Sequence, residues 1–330
     1  MAVSESGNIQ AGITEEFAGK VNAEIMGMKL PPSFKPWIEE YNEVGGHRDA
    51  YLWQIYLMAK KAIDFVPAQD ECRESLREAN FLVTMYIVFI DDVVDREQNQ
   101  ELFSVLARTP FAENRSRPED LKGKEKDCVA FCEKLWDHVI SIIEEYPAYK
   151  EFLPIFKFDL EGMVQSINYD LAISNNMQLI NIEEAFLNQV HSMKFMTLTS
   201  LDLMCAPSID GNGVNLVREL STCMQEMLRI GNWISTWERE IGEEDFTSGV
   251  FAFAISEGIV IAGELADMDA ARLTAMIKEA GIEGKLLGRW DENYEKLSRL
   301  LEGTEVIQRE IVLDGMKKLL GLELISKGRK

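Results

Sequence analysis

Cationic charge is what this chain has least of. Lys and Arg number 34 against 56 Asp and Glu in 330 residues, which leaves a net charge of −22 with the histidines neutral. That balance excludes a nucleic-acid backbone or an anionic membrane surface as the main partner, while a local or metal-bridged anion site stays open. Cysteine is scarce too. The five, Cys72, Cys128, Cys132, Cys205 and Cys223, are odd in number and scattered. Cys128 and Cys132 share a helix face, but without a second pair or a nearby His they read as small buried apolar residues, not as a zinc site, redox pair or disulfide frame. Long apolar runs are missing. FLV and MYIVFI, split by Thr84, fall well short of the roughly 20 residues of a spanning helix. The N-terminal MAVSESGNIQAGITEE has neither a basic segment nor an apolar core, so no secretory signal is expected and the reading is a soluble, cytoplasmic protein.

Strict apolar and polar alternation is also hard to find, which argues against a sheet protein. Helical periodicity predicts helices over 14–28, 36–45, 48–64, 69–97, 119–145, 148–174, 182–205, 214–241, 248–257, 268–279, 284–302 and 304–325. Pro and Gly punctuate the joins: PPSFKP at 31–36, GG at 45–46, VPAQD at 66–70, APSIDGNG at 206–213 and SGV at 248–250. With 46% apolar residues the chain can bury a large core. No repeat, low-complexity tract or interdomain linker interrupts it. The expectation is one all-α bundle over 1–330, with 1–13 a flexible N-terminal segment.

Against that background DDVVD, Asp91 to Asp95, follows directly on FLVTMYIVFI, Phe81 to Ile90. Asp91 and Asp95 fall on one helix face, with Asp92 about 100° away. The C-terminus of a helix carries negative partial charge, so three carboxylates there are poorly placed unless solvent or cations compensate them.

A second constellation stands in RIGNWISTWEREIGEED, Arg229 to Asp245. Asn232, Thr236 and Glu240 recur every fourth residue and form one stripe. An amide oxygen, a hydroxyl and a carboxylate in line suit a hard cation such as Mg²⁺. Facing one another across a bundle, the two stripes would hold divalent ions against a substrate diphosphate, and the ions would neutralise the leaving group as its carbon–oxygen bond breaks.

The pair DDVVD and NWISTWERE resembles the aspartate-rich motif and the Asn/Ser-or-Thr/Glu motif of class I terpene synthases, especially the single-domain bacterial type. The resemblance implies a helical bundle around an apolar cavity, a lyase activity on an allylic prenyl diphosphate, and three Mg²⁺ ions. It makes Asp91, Asp92, Asp95, Asn232, Thr236 and Glu240 the metal ligands, and it places Arg239 where the family often has a residue touching diphosphate. Position 233 is Trp where the family commonly has Asp. The family's diphosphate-sensing Arg, some 40 to 45 residues before the second motif, has no counterpart in FLNQVHSMKFMTLTSLDL; His191 and Lys194, three apart on one helix face, are the substitutes. The Arg-Tyr pair expected near the C-terminus is missing as well, with Lys317 or Lys318 in that region. Phe81, Thr84 and Val88, on the Asp91 face, are expected to line the cavity together with Phe195, Trp233 and Trp237, where aromatic faces would stabilise a carbocation.

Small residues in SMKFMTLTSLDLMCA and the departures from the sesquiterpene-like sensor pattern favour a C20 substrate, geranylgeranyl or copalyl-type diphosphate, over C15 farnesyl diphosphate. No DxDD string for protonation-started cyclisation is present. A chain-elongating prenyltransferase normally shows a second DDxxD string, replaced here by NWISTWERE. A non-catalytic isoprenoid-binding protein would not need intact ligands at every key position. A prenyl diphosphate is the expected partner, with a homodimer left open.

Overall fold

The structure, a computed structural model, describes residues 15–46, 48–111, 121–304 and 307–327; the N-terminal segment 1–13 lies outside them. It is all-α, with no strand among the described residues. The helices are α1 (Glu15–Gly27), α2 (Lys35–Glu43), α3 (Ala50–Ala62), α4 (Arg73–Asp95), α5 (Gln100–Leu106), α6 (Lys124–Ile143), α7 (Tyr149–Asn175), α8 (Ile182–Asn188), α9 (Phe195–Met204), α10 (Gly211–Gly242), α11 (Gly249–Ser256), α12 (Ala270–Glu279), α13 (Ile282–Leu300) and α14 (Arg309–Ile325). Buried apolar side chains from Val21 to Leu322 form one continuous core.

Local chemistry explains the boundaries. Asp49, Asn99 and Asp210 cap α3, α5 and α10 by accepting from backbone N–H groups of the first turn. Gly123 precedes α6 at φ 49° and ψ −117°, a positive-φ backbone that strains an L side chain and suits Gly, and the helix starts after it, later than predicted. Helix α4 reads as buried nearly all round: every residue from Ala79 to Ile87 is buried, as a continuous apolar run requires.

The predicted helix 182–205 does not exist as one piece. It is α8, a 3₁₀ turn over Gln189–Met193, then Lys194 at φ 53°, then α9. No Gly or Pro announces the break. It is held from outside, by the Gln189 amide, which is fully buried and donates to the Asp170 carboxylate of α7 and to the Thr247 carbonyl. Helix α5 was not anticipated either.

Two packings position the polar stripes. Helices α4 and α9 run antiparallel: Asn80 Nδ2 donates to Asp202 Oδ1 at 2.9 Å at one end, and the Lys194 charge acts on Asp91 at the other. Helix α10 is backed by α13 and α14, where Ser235 donates to Glu323 at 2.7 Å and Trp237 Nε1 to Glu283 at 2.7 Å. One face of α10 is thereby fixed from behind, and the Asn232 stripe takes another.

Candidate active site

Asp91 ends a turn of α4 half-buried, one turn beyond half-buried Val88. Burial holds its carboxyl above the ordinary range; Asp92 adds to this, and Arg48, Arg229 and Lys194 oppose it. Asp95 stands at the same end, open to solvent, and with Asp91 marks the mouth of the candidate site. Desolvation, then Asp91, Asp245, Asp170 and Asp92 push it up to about 8. Such crowding of carboxylates calls for cations.

The second wall is α10. Asn232 and Glu240 are half-buried and Thr236 is buried. Thr236 Oγ1 donates to the Asn232 carbonyl at 3.0 Å, which leaves the hydroxyl oxygen able to accept or ligate. Glu240 Oε2 is buried without a hydrogen-bond partner. Desolvation raises Glu240 to about 7, against Thr236, Arg229 and Arg239, with Asp245 adding to the rise. An orphaned buried carboxylate oxygen is costly, and it fits a stripe whose complement is a cation.

Arg229 joins the walls. Its charge acts on Asp91 of α4, on Asp170 of α7 and on Glu240 of α10, so the two motifs face one space. Its Nη1 donates to Asn232 Oδ1 at 2.9 Å, and its Nη2 lies 4.0 Å from Asp170 Oδ2. Asp170 is raised to about 7, first by burial and further by Asp91 and Asp245, with Arg229 and the Gln189 hydrogen bond opposing. Arg229, Asp170 and Asp245 were not picked out by sequence reasoning. Arg229 had a signal, standing one turn before Asn232 on the same stripe. Asp170 had none: a single acid on a distant helix of an acidic chain looks like surface.

Several expected site residues lie elsewhere. Asp92, expected as a ligand, is buried and occupied: Arg48 binds both its oxygens, Tyr41 donates to it at 3.1 Å and Arg96 Nε lies 3.2 Å away. The 100° step from Asp91 turns it toward α2 and away from the mouth. Phe81 is fully buried, stacked on Phe34 at 3.7 Å and edge-on to Trp53. Thr84 is buried and spends its proton on the Asn80 carbonyl. Trp233, one step round from Asn232, packs edge-on to Phe186 and against Gly249, where a Cβ would sit 2.6 Å from its ring. Trp237 turns to Glu283. Phe195 is buried, stacked with Phe65. Of the expected lining residues on α4, Val88 alone keeps partial exposure.

His191 and Lys194 do not share a helix face, because the 3₁₀ turn and the left-handed Lys194 break the register. His191 lies against Gly162 and Gln225, and burial pushes its imidazole pKa down; a neutral, packed His is a poor anion sensor. Lys194 is the member of the pair whose charge reaches Asp91. Arg239 is exposed and pairs with Glu243 at 2.9 Å, while its charge acts on Glu240. Lys318 is bound to Glu24, and Lys317 lies over the Tyr294 ring.

Among the described residues no three His, Cys, Asp or Glu side chains close on one point as a metal cage. The donors stand on two walls, and Mg²⁺ typically takes one or two carboxylates and completes its shell with water and substrate phosphate. The donor set, hard oxygens with an orphan among them, fits that ion.

The chain is similar in structure to abietadiene synthase from Abies grandis, with a TM-score of 0.59 and 11% identity, over 93% of this chain and 38% of that one. The fold is that of a terpene synthase. At this identity the likeness shows the fold alone, and this chain spans 38% of the length of its neighbour. No family model and no curated protein matches the sequence. No helix among the described residues is long and apolar enough to cross a membrane.

Proposed function

We propose that the protein is a Mg²⁺-dependent class I terpene cyclase, which ionises an allylic prenyl diphosphate and cyclises the resulting carbocation. The observation that carries this reading is Arg229, whose charge acts on Asp91 of one motif and Glu240 of the other within a terpene synthase fold. Asp91 and Asp95 would hold ions on one wall; Asn232, Thr236 and Glu240 would hold one on the other. Bound Mg²⁺ would supply Lewis-acid neutralisation of the departing diphosphate. Arg229 and Lys194 would orient diphosphate oxygens, in place of the Arg that sequence reasoning sought near 187–192. An apolar interior below Val88 would exclude water from the cation.

A C20 substrate, geranylgeranyl or copalyl-type diphosphate, is favoured over C15. The small residues of 192–206 support it. The test incubates purified protein with Mg²⁺ and, separately, C10, C15, C20 and copalyl-type diphosphates, with extracts read by gas chromatography and mass spectrometry. A cyclic terpene formed from one of them and abolished by EDTA supports the reading. Product only in the presence of isopentenyl diphosphate would replace it by chain elongation, and no product at all by isoprenoid binding.

A further inference from the structure

Asn232 Oδ1, the amide oxygen that leads the second stripe, is occupied. Arg229 Nη1 donates to it at 2.9 Å. The guanidinium is otherwise loosely held: Nη2 stands 4.0 Å from Asp170, the group sits 5.4 Å from the Trp233 ring centroid, and Nε is buried with no hydrogen-bond partner. A guanidinium has five N–H donors in a fixed fork, and here one well-made bond ties it to a neutral amide. A multivalent oxyanion offers it more and stronger acceptors, because charge-assisted bidentate pairs outweigh neutral ones.

Two consequences meet at Asn232. The amide oxygen keeps a second lone pair, but a cation placed on it would stand against the positively charged Arg229 N–H 2.9 Å away, so the guanidinium disfavours a metal there until it moves off. The positive charge of Arg229 also opposes a second cation among Asp91, Asp170 and Glu240, which it partly neutralises. We propose that Arg229 is a placeholder on the second chelate, drawn off by diphosphate, so that diphosphate and divalent-metal binding are coupled through this one side chain. The placeholder is a positioning residue, and the idea rests on the metal-dependent reading of the site. Coupling of this kind is reciprocal, so metal in turn tightens diphosphate, with typical factors of about 5–150-fold.

The test needs no turnover. Protein stripped with EDTA and desalted is titrated with Mn²⁺, and free ion is read by electron paramagnetic resonance, with and without inorganic pyrophosphate and against pyrophosphate alone. Wild type is expected to bind Mn²⁺ tightly only with pyrophosphate. Arg229→Met is expected to bind Mn²⁺ alone about tenfold more tightly than wild type, with most of the pyrophosphate enhancement lost. That gain must vanish in Arg229→Met/Asn232→Ala, since an acidic surface would bind ions regardless. Should Arg229→Met fail to fold by circular dichroism, Arg229→Lys, which keeps the charge and loses the fork, is expected to raise affinity for Mn²⁺ alone about threefold. Unchanged or weaker binding of Mn²⁺ alone in the folded variant, or wild-type enhancement retained, overturns the placeholder. A wild type that binds no Mn²⁺ even with pyrophosphate removes the metal reading itself.

Discussion

Arg48 grips Asp92 through both carboxylate oxygens, Nη2 to Oδ1 at 2.7 Å and Nε to Oδ2 at 3.1 Å. The pair ties the segment between α2 and α3 to the end of α4, one residue from Asp91. Removing one partner leaves the other charge uncompensated, at about 3–5 kcal/mol for a fully buried pair. The Arg48 side chain stays 30% exposed, so Arg48→Ala should cost less, about 2–3 kcal/mol. Denaturant melts of Arg48→Ala, Asp92→Ala and the double variant check this: the double should cost clearly less than the sum, and additive losses would show that the two residues act independently.

Asp91→Ala and Asn232→Ala each remove a donor from one wall. Each should lower kcat/KM by at least about a hundredfold, roughly 2.7 kcal/mol of transition-state stabilisation, with the helical circular-dichroism signal unchanged. Activity within tenfold of wild type in either variant would reject its assignment as a ligand.

The acids of the mouth make stability fall with pH. Asp95 at about 8, and Asp170 and Glu240 at about 7, bind protons in the folded chain over a range where the unfolded chain, near pH 4 for such groups, has released them. Their contribution is complete below about pH 4 and is lost as pH rises through 7 to 8. Protein stripped of divalent ions should therefore melt at lower temperature at pH 8 than at pH 5.5 by scanning calorimetry. Asp95→Asn and Glu240→Gln should flatten the slope, and Mg²⁺ with pyrophosphate should flatten it in wild type. A wild-type melting temperature that rises between these pH values would contradict the crowding.

Trp233 belongs to the core. Gly249→Ala drives a Cβ to 2.6 Å from its ring, and overpacking of this kind costs about 1–3 kcal/mol. Trp233→Ala should cost about 3–5 kcal/mol. Phe81→Leu, in the Phe34 and Trp53 cluster, should lower the melting temperature while leaving the product profile as it is, whereas Val88→Ala should alter that profile. A product change with Phe81→Leu and none with Val88→Ala would reverse the assignment of which residues face the interior.

Helix class and the two oxygen stripes were legible in the sequence because both depend on local spacing. Periodicity puts Asp91 and Asp95 on one face and Asn232, Thr236 and Glu240 on another, whatever surrounds them. Tertiary structure decided the rest, because orientation and charge compensation come from other helices. Arg48 and Tyr41 claim Asp92 from outside α4. Gln189, held by Asp170 and Thr247, breaks what local propensity reads as one helix and leaves Lys194 left-handed. Gly249 and Phe186 draw Trp233 into the core. Arg229 gains its meaning from Asp91 and Asp170, acids 138 and 59 residues away along the chain. No local pattern encodes a partner at that distance; only packing brings the charges together.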